Sequence, residues 1–360
     1  MKKIILQTDN ETNYNFIDLI KFILSILVVA IHVHPFGDNS TMSGYNFWIT
    51  DCLGRIAVPF YFVCSSYFVF KKIDVKEFDK NIPMKAAWRF FRLYILWTII
   101  YIPWIVVSML EYYNSVAHGL IGAVRNFLIV GSYGQLWYLN ALAIAILLVT
   151  FFLLKKISVR KTIICATIIY LVGLLGNSYM GLLKPLSSYE VIWNSLRVIK
   201  KVIWTTRNGL FFGFLFVAMG LWFANTKWLL KVKYSFVGFV ISLTGLFYEV
   251  CYVTMQNWRI DDDMYISLIP VTFFLFNIAL QVELKNHKRW KWLRLISSLI
   301  FYTHTWIRDA IAMLFVVWNV DITKSSLHFV LTLIVSILVA NIIIRISENE
   351  KFIWLKKLYI

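Results

Sequence analysis

Ten long apolar stretches limit what this chain can fold into. A helix crosses the bilayer core with about 20 apolar residues, because each backbone polar group must be satisfied inside the segment. Hydrophobic residues make up 60% of the 360 residues. We therefore predict an all-α, polytopic membrane helix bundle of about ten transmembrane helices, a single domain over residues 1–360 without a soluble domain. The predicted spans are 16–34, 47–70, 91–111, 136–154, 162–180, 208–224, 234–254, 265–282, 295–317 and 327–346.

Positive charge is distributed unevenly among the loops. Residues 35–50 contain no Lys or Arg and 255–264 contain only Arg259, whereas the alternate loops are rich in both. Cytoplasmic loops are enriched in Lys and Arg, so an even number of spans places both termini in the cytoplasm of a multi-pass cell-membrane protein. Loop cations also explain the net charge of +17, and no basic module for nucleic acid is indicated. These cations include Lys2, Lys3, Lys71, Lys72, Lys76, Lys80, Lys85, Lys155, Lys156, Arg160, Lys161, Lys227, Lys231, Lys233, Lys285, Lys288, Arg289, Lys291 and Arg294.

The segment 181–207 departs from this pattern, because it lies on the predicted outer side and still carries five cations. Apolar residues recur at helical spacing between Tyr189 and Trp204. This pattern is typical of an amphipathic helix on the outer membrane surface, or of a loop helix packed against the bundle.

The four cysteines, Cys52, Cys64, Cys165 and Cys251, stand singly in apolar stretches. No C-x-x-C or metal-ligand spacing occurs, so we expect buried thiols without disulfides or zinc. The sequence thus predicts no metal and no permanently bound cofactor.

The first apolar stretch, from Asn15 to Pro35, carries polar residues on one face. At about 100° per residue, four of them fall on one helical stripe. Ionisable groups inside a membrane are costly and usually face a bundle interior or a wet cavity. We interpret the stripe as one wall of a functional site, although a histidine near the end of a span can also sit at the membrane interface. Its members are Asp18, Lys21, Ser25 and His32.

Arg55 lies inside the second span, near Gly54 and Pro59. Asp51 precedes it by four residues, so a helix turn can bring the carboxylate and the guanidinium together. We expect either a structural intramembrane ion pair or a cation that stabilises a developing oxyanion.

Arg89 and Arg92 begin the third span on the predicted cytoplasmic side. At i and i+3 they share a helix face and can grip phosphates with paired hydrogen bonds. Anchoring at the positive-inside surface explains the two arginines equally well.

Further candidates lie in two later spans. Trp137 opens the fourth span, where an aromatic belt is one explanation and a substrate site the other. His304 and Arg308 are one turn apart in the ninth span and form a second cluster of a histidine with a cation. We expect this cluster to line the same cavity as His32.

The order and spacing of these motifs resemble the integral-membrane acyltransferase-3 family over nearly the whole chain. The matching residues are Asp18 to Lys21 with His32 eleven positions later, Gly54, Val58 to Phe62, Ser65 to Phe68, Arg89-x-x-Arg92, Gln135 to Leu139, and His304 with Trp306. One departure is Ser66, where many members have glycine, which predicts a less close helix approach there. A second is Lys21, where many members have arginine with its bidentate fork.

The resemblance implies a membrane acyltransferase that moves an acyl group, commonly acetyl, from cytoplasmic acyl-CoA to a hydroxyl of an envelope glycan or similar acceptor. His32 would be the catalytic histidine, on a stripe completed by Asp18 and Lys21. Arg89 and Arg92, with Lys21, would serve the acyl donor. Arg55, Trp137, His304 and Arg308 would contact the acceptor or the oxyanion. The partners implied are membrane lipid, the acyl-CoA co-substrate and the hydroxyl acceptor.

This interpretation requires a continuous passage between the cytoplasmic arginines and His32. A related branch of the family fuses such a membrane domain to a racemase and is considered to import serine. A transporter of a small polar solute, such as an amino acid, or of an envelope precursor is therefore the main alternative. A non-catalytic sensor or assembly protein of the envelope is a third.

Overall fold

The computed structural model describes residues 14–37, 44–74, 77–113, 115–226 and 229–360, except for the side chains of 199–203. The loop cations Lys2, Lys3, Lys76 and Lys227 lie outside the described residues. Within those ranges the protein is all-helical and contains no β-strand. The helices are α1 Asn15–Val33, α2 Phe47–Phe70, α3 Asn81–Ile100, α4 Ile102–Tyr112, α5 Val116–Val130, α6 Gly134–Leu154, α7 Val159–Leu174, α8 Glu190–Ile203, α9 Gly209–Asn225, α10 Val232–Met255, α11 Leu268–Ala279, α12 Arg289–Val316 and α13 Ser326–Ser347.

Six of these helices are long and apolar enough to cross a membrane: α1, α2, α6, α10, α12 and α13. The bent pair α3 and α4 makes a seventh if it is one broken span. Helices also occupy the other predicted stretches, but α7, α9 and α11 have fewer than the about 20 residues of a full span. The protein is therefore an integral membrane protein with six to seven long candidate spans.

The third predicted span, 91–111, is not one straight helix. The chain bends by 64° between α3 and α4, at Tyr101. Pro103 lies at the start of α4 and lacks the N–H that a continuous helix would need. The phenol of Tyr101 donates to the carbonyl of Tyr302 at 2.8 Å, which ties the bend to α12.

Local capping interactions explain where several helices begin and where α1 ends. Ser115, Ser158 and Ser325 each accept a hydrogen bond from a backbone N–H in the first turn of the helix that follows. At the other end of α1, His34 adopts the left-handed conformation with φ 56°, and Pro35 prevents the helix from continuing. His32 is thus placed in the last turn of α1.

Helix α1 lies inside the bundle, in contact with α2, α12 and α13. Its closest approach to α2 is at Gly54, where an added Cβ would lie 2.7 Å from the side chain of Ile31. The absence of a side chain at Gly54 therefore sets the spacing of the two helices beside His32.

The departure at Ser66 does not prevent close packing, contrary to the expectation from the sequence. Helices α2 and α9 pack extensively against each other. The glycine is on the partner helix: a Cβ on Gly220 would collide with Ser66 Oγ and lie 2.6 Å from the carbonyl of Val63. The close contact is possible because Gly220 of α9 has no side chain.

Helix α8 occupies the part of 181–207 that the sequence predicted to be amphipathic. It follows a 3₁₀ segment, Met180–Ser188, and leaves Val191 and Val198 exposed. Exposed apolar side chains on such a helix suit a position at a membrane surface.

Candidate active site

The polar stripe of α1 faces two separate cavities. Lys21 lines a cavity near the start of α1, and His32 lines a second one at its end. Ser25 is buried and donates to the carbonyl of Phe22 in its own helix. Eleven residues separate Lys21 from His32, which is about 16 Å of helical rise. The stripe is therefore divided between two sites at different depths.

The first cavity, which we call the basic cavity, has a volume of about 530 Å³. Among the described residues that line it there is no Asp or Glu. Its size is in the range of small-molecule sites, and its charge suits a ligand with several phosphates. The cations on its wall are Lys21, Lys72, Lys85, Arg89 and Arg294.

Asp18 holds Arg294 at this cavity. The guanidinium of Arg294 donates from Nε and Nη2 to both carboxylate oxygens, at 2.7 to 3.0 Å. The Asp18 side chain is 4% exposed, whereas that of Arg294 is 52% exposed. Since Asp18 lies about 21 Å of helical rise from His32, it positions a cation and does not contact the imidazole.

Arg89 and Arg92 do not act as a pair on the basic cavity. Arg89 is on its wall, but Arg92 is not among the lining residues, and its Nε–H is buried without a hydrogen-bond partner in the described structure. The i, i+3 relation places the two arginines near one another without directing both into the same space.

The second cavity, which we call the histidine cavity, is much smaller, about 50 Å³. This volume is enough for a few water molecules. Besides His32 it is lined by Arg55, Gln135, Trp137, Arg207, Asp263 and Phe301, among others. It brings together residues of five helices and two loops.

His304 is the aromatic neighbour of His32 from α12. The two ring centroids are 5.1 Å apart. His304 is fully buried, and its Nδ1 lies 2.8 Å from the carbonyl of Ile300, which can only accept. Nδ1 is therefore protonated, and Nε2 is an acceptor without a partner among the described residues. Such an acceptor beside His32 can fix the orientation of its ring.

Arg308 supports His32 through the backbone rather than lining the cavity. Its Nη1 donates to the carbonyl of His32 at 3.1 Å. Its Nη2 pairs with Asp309 at 2.6 Å, and Asp309 also accepts from Tyr133 at 2.7 Å. The carbonyl of Arg308 in turn contacts His328 at 2.9 Å. Arg308 therefore tethers the end of α1 to α12.

Arg55 pairs with more carboxylates than the one predicted. Asp51 lies 3.7 Å away, but Asp262 and Asp263 are closer, at 2.6 and 3.1 Å. Arg207 also contacts Asp263, at 3.2 Å, and Arg259 contacts Asp51, at 2.9 Å. The charge of Arg55 is thus largely balanced, although its Nε–H is buried with no partner in the described structure.

The three consecutive aspartates of this network differ in acidity. Burial, together with the neighbouring Asp263, raises the pKa of Asp261 to about 8. Burial alone would raise the pKa of Asp263, but Arg207 and Arg55 lower it below its usual value. Three arginines and four aspartates carry one net negative charge, which the proton on Asp261 cancels. The cluster is an ion-pair network rather than a free set of metal ligands.

An aromatic partition separates the two cavities, so the continuous passage expected from the sequence is interrupted. Phe301 lines both cavities. Its ring packs at 5.8 Å from Tyr61 and 5.2 Å from Tyr138, edge to face. Tyr138 also hydrogen-bonds the carbonyl of Tyr61 at 3.1 Å. The partition is one side chain thick at Phe301.

A family model described as an acyltransferase domain matches residues 14–345. The chain belongs to the acyltransferase-3 family. No solved structure matches it.

The curated relatives of this acyltransferase-3 chain are racemases by name. An amino-acid racemase of Enterococcus faecalis is 28% identical over 351 residues, which cover 96% of this chain and 47% of that protein. A serine/alanine racemase of Enterococcus gallinarum is 30% identical over 295 residues, 80% of this chain and 40% of that protein. The chain thus spans about half the length of the curated relatives that it matches.

Several site residues of this acyltransferase-3 protein were not singled out from the sequence. Arg294, Lys72 and Lys85 were counted only as loop cations, and Phe301 was not distinguished from other apolar residues. The Asp-Asp-Asp run at 261–263 was the available signal, because three acids in a loop beside a membrane need partners. Arg207 could have been found as their partner on the same predicted side.

Proposed function

We propose that this protein is a ten-span membrane O-acyltransferase with both termini in the cytoplasm. It would transfer an acyl group, commonly acetyl in this family, from acyl-CoA to a hydroxyl of an envelope glycan or similar acceptor. The observation that carries this proposal is the basic cavity of about 530 Å³, which shares Phe301 of the aromatic partition with the cavity of His32. Family membership supports the reaction class.

The acyl donor binds in the basic cavity in this proposal. Five cations line a space whose described lining has no Asp or Glu side chain, which favours the phosphates of coenzyme A. Lys21 contributes from α1 and Arg89 from α3, and Arg294 is held in place by Asp18. The long, flexible arm of the donor extends from there towards the partition.

Transfer takes place at His32. The rings of Phe301 and Tyr61 turn aside, and the thioester reaches the histidine cavity. His32 accepts the proton of the acceptor hydroxyl as the new carbon–oxygen bond forms and the carbon–sulfur bond breaks; the thiolate then takes up that proton. In the covalent variant, His32 carries the acyl group between the two steps.

The surroundings of His32 fit these roles. The unpartnered Nε2 of His304 is available to accept a hydrogen bond from the imidazole of His32, and Arg308 donates to the His32 carbonyl. The unpartnered Nε–H of Arg55 is the donor available to a developing oxyanion, and Trp137 forms the wall beside it.

Replacing His32 tests the reaction. Membranes containing His32→Ala are given radiolabelled acetyl-CoA and envelope acceptor, and labelled product is counted. We expect at least about a 100-fold loss, since a positioned proton acceptor contributes that much or more. His118→Ala, an exposed histidine on α5, is the matched control and keeps the parental rate. Parental transfer by His32→Ala would remove the proposed role.

Transport of an amino acid or an envelope precursor is the second candidate. Two cavities at different depths with a thin aromatic partition are also what alternating access requires. Because relatives are named as amino-acid or serine/alanine racemases, an amino acid is the solute that this function favours. This function predicts uptake of radiolabelled serine into vesicles without acyl-CoA, and no consumption of thioester.

A further inference from the structure

Two grooves lie at the His32 end of the bundle, outside the cavities already described. The first, the polar groove, has a volume of about 480 Å³ and is lined by Arg197, Arg207 and Asp261, among others. The second, the apolar groove, has a volume of about 270 Å³. Its wall is formed by Val172, Leu175, Gly176, Met180, Leu183, Leu196, Trp204, Thr205, Thr206 and Phe211.

The two grooves adjoin each other, and the polar groove adjoins the histidine cavity. Gly176, Trp204 and Thr205 line both grooves. Arg207 lines the polar groove and also the histidine cavity. The apolar groove, the polar groove and the histidine cavity are therefore neighbours, and the side chain of Arg207 lies between the last two.

The charges on the wall of the polar groove favour an anion there. Arg197 and Arg207 are the two cations on its wall, and the Nε–H of Arg207 is buried without a partner in the described structure. The acid on the same wall, Asp261, has a pKa raised to about 8 by its burial and by Asp263, so it is largely uncharged at neutral pH. An unpaired buried donor is costly, and an anionic ligand would satisfy it.

Exposed apolar residues on helix α8 favour a position of the apolar groove at the membrane surface. Leu196 of α8 and Val172 of α7 both line the groove, and Val191 and Val198 of α8 are exposed. An amphiphile in the membrane would thus reach the groove directly with its hydrocarbon chain.

We propose that these grooves bind the acceptor as a lipid-anchored, anionic amphiphile. Its hydrocarbon chain lies in the apolar groove, its phosphate contacts Arg197 and Arg207, and its hydroxyl-bearing head extends past Arg207 to His32. The inference rests on the proposed function for the identity of the amphiphile as acceptor. The binding itself is measurable without any transfer.

Photolabelling tests the binding. The full-length protein is placed in nanodiscs of phosphatidylglycerol and phosphatidylcholine with a trace of either lipid carrying a diazirine in its chain. Phosphatidylglycerol supplies a phosphate and free hydroxyls, whereas phosphatidylcholine is zwitterionic. We expect the phosphatidylglycerol probe to label peptides from 172–211 about fivefold more than the phosphatidylcholine probe does. One or two cations near the membrane surface attract an anionic lipid by about this factor.

Variants of α8 separate the groove from general lipid contact. Leu196→Trp fills the apolar groove and should abolish the selective labelling, as should Val172→Trp from the facing helix. Val198→Trp adds the same ring on the exposed side of α8 and should leave labelling unchanged. Equal labelling by both probes, or undiminished labelling of Leu196→Trp and Val172→Trp, would overturn the proposal.

The failure of this inference can be distinguished from failure of the proposed function. Labelling needs no acyl donor, so His32→Ala should be labelled as the parent is. Selective labelling without any acyl transfer by the parent would refute the acyltransferase reaction and the role of the amphiphile as acceptor, while the lipid site itself would stand. Acyl transfer without selective labelling would refute the lipid site alone.

Discussion

In the proposed reaction, single residues decide how the acyl donor is held. Arg89 lines the basic cavity and Arg92 does not, although both belong to one motif. We expect Arg89→Gln to raise the KM for acetyl-CoA about tenfold or more, because a charge-assisted hydrogen bond to phosphate is lost. Arg92→Gln, the matched control on the same helix, should change it less than about twofold. Initial rates at varied acetyl-CoA measure both, and equal effects would contradict the assignment.

The proposed role of His304 in orienting the ring of His32 can be tested by substitution. His304→Phe keeps an aromatic ring of similar size but removes the Nε2 acceptor beside His32. We expect kcat to fall about 10- to 100-fold with little change in the KM for acetyl-CoA, because orientation of the base is lost while the donor site is intact. Recovery of kcat by His304→Gln, which restores an acceptor, would distinguish this role from packing. A rise in KM alone would contradict it.

The sequence predicts which polar residues share one helix face, but it does not predict which residues far apart in the chain form pairs. The stripe from Lys21 to His32 could be predicted, because helical periodicity is a local property. The pairing of Asp18 with Arg294 joins residues 276 positions apart, and that of Arg55 with Asp263 joins residues 208 apart. No periodicity encodes these contacts, which is why Arg55 was expected to pair with Asp51 alone.

At the scale of elements, the packing of α2 on α9 depends on Gly220. Gly220→Ala would place a methyl group against Ser66 Oγ and the carbonyl of Val63. We expect a loss of about 1–3 kcal/mol in the free energy of unfolding, as overpacking typically causes. Adding Ser66→Gly removes the nearest of the atoms in the way and should restore part of the loss. Urea unfolding in detergent measures the free energy of unfolding of each single variant and of the double variant. If the effects of the two substitutions simply add, the contact between residues 66 and 220 is contradicted.

The loop between α10 and α11 makes stability depend on pH. The pKa of Asp261 is raised to about 8, so the folded protein holds a proton there that the unfolded chain releases near pH 4. This group's stabilising contribution is therefore complete below about pH 4 and is lost as pH rises towards 8. Asp261→Asn should remove that decline. Thermal unfolding at pH 6 and pH 8 tests it, and an unchanged pH dependence in the variant would refute it.

The helices observed in the ten predicted stretches show which features hydropathy can predict. All ten predicted stretches contain helix, because apolar runs in a membrane protein have few other options. The bend at Tyr101 was missed although Pro103 marked it, because proline is tolerated in membrane helices and its effect depends on neighbours. The short α11 shows that a span's length cannot be taken from its apolar run alone.

At the scale of the whole molecule, two cavities meet at one aromatic partition. The basic cavity lies near the start of α1 and the histidine cavity at its end, so in the proposed reaction donor and acceptor approach from opposite sides. Phe301 is the shared wall. An enzyme and a transporter can both be built on this arrangement, and the difference between them is whether a thioester is consumed.

The most direct measurement uses sealed everted vesicles, in which the cytoplasmic face is outside. Radiolabelled acetyl-CoA is added outside, with hydroxyl acceptor present only in the lumen, and label on the acceptor is counted against thiol released. The account predicts equal amounts of both for the parent and at least about a 100-fold loss of both for His32→Ala. Label on the luminal acceptor at the parental rate with His32→Ala, or no thiol release by the parent, would contradict it.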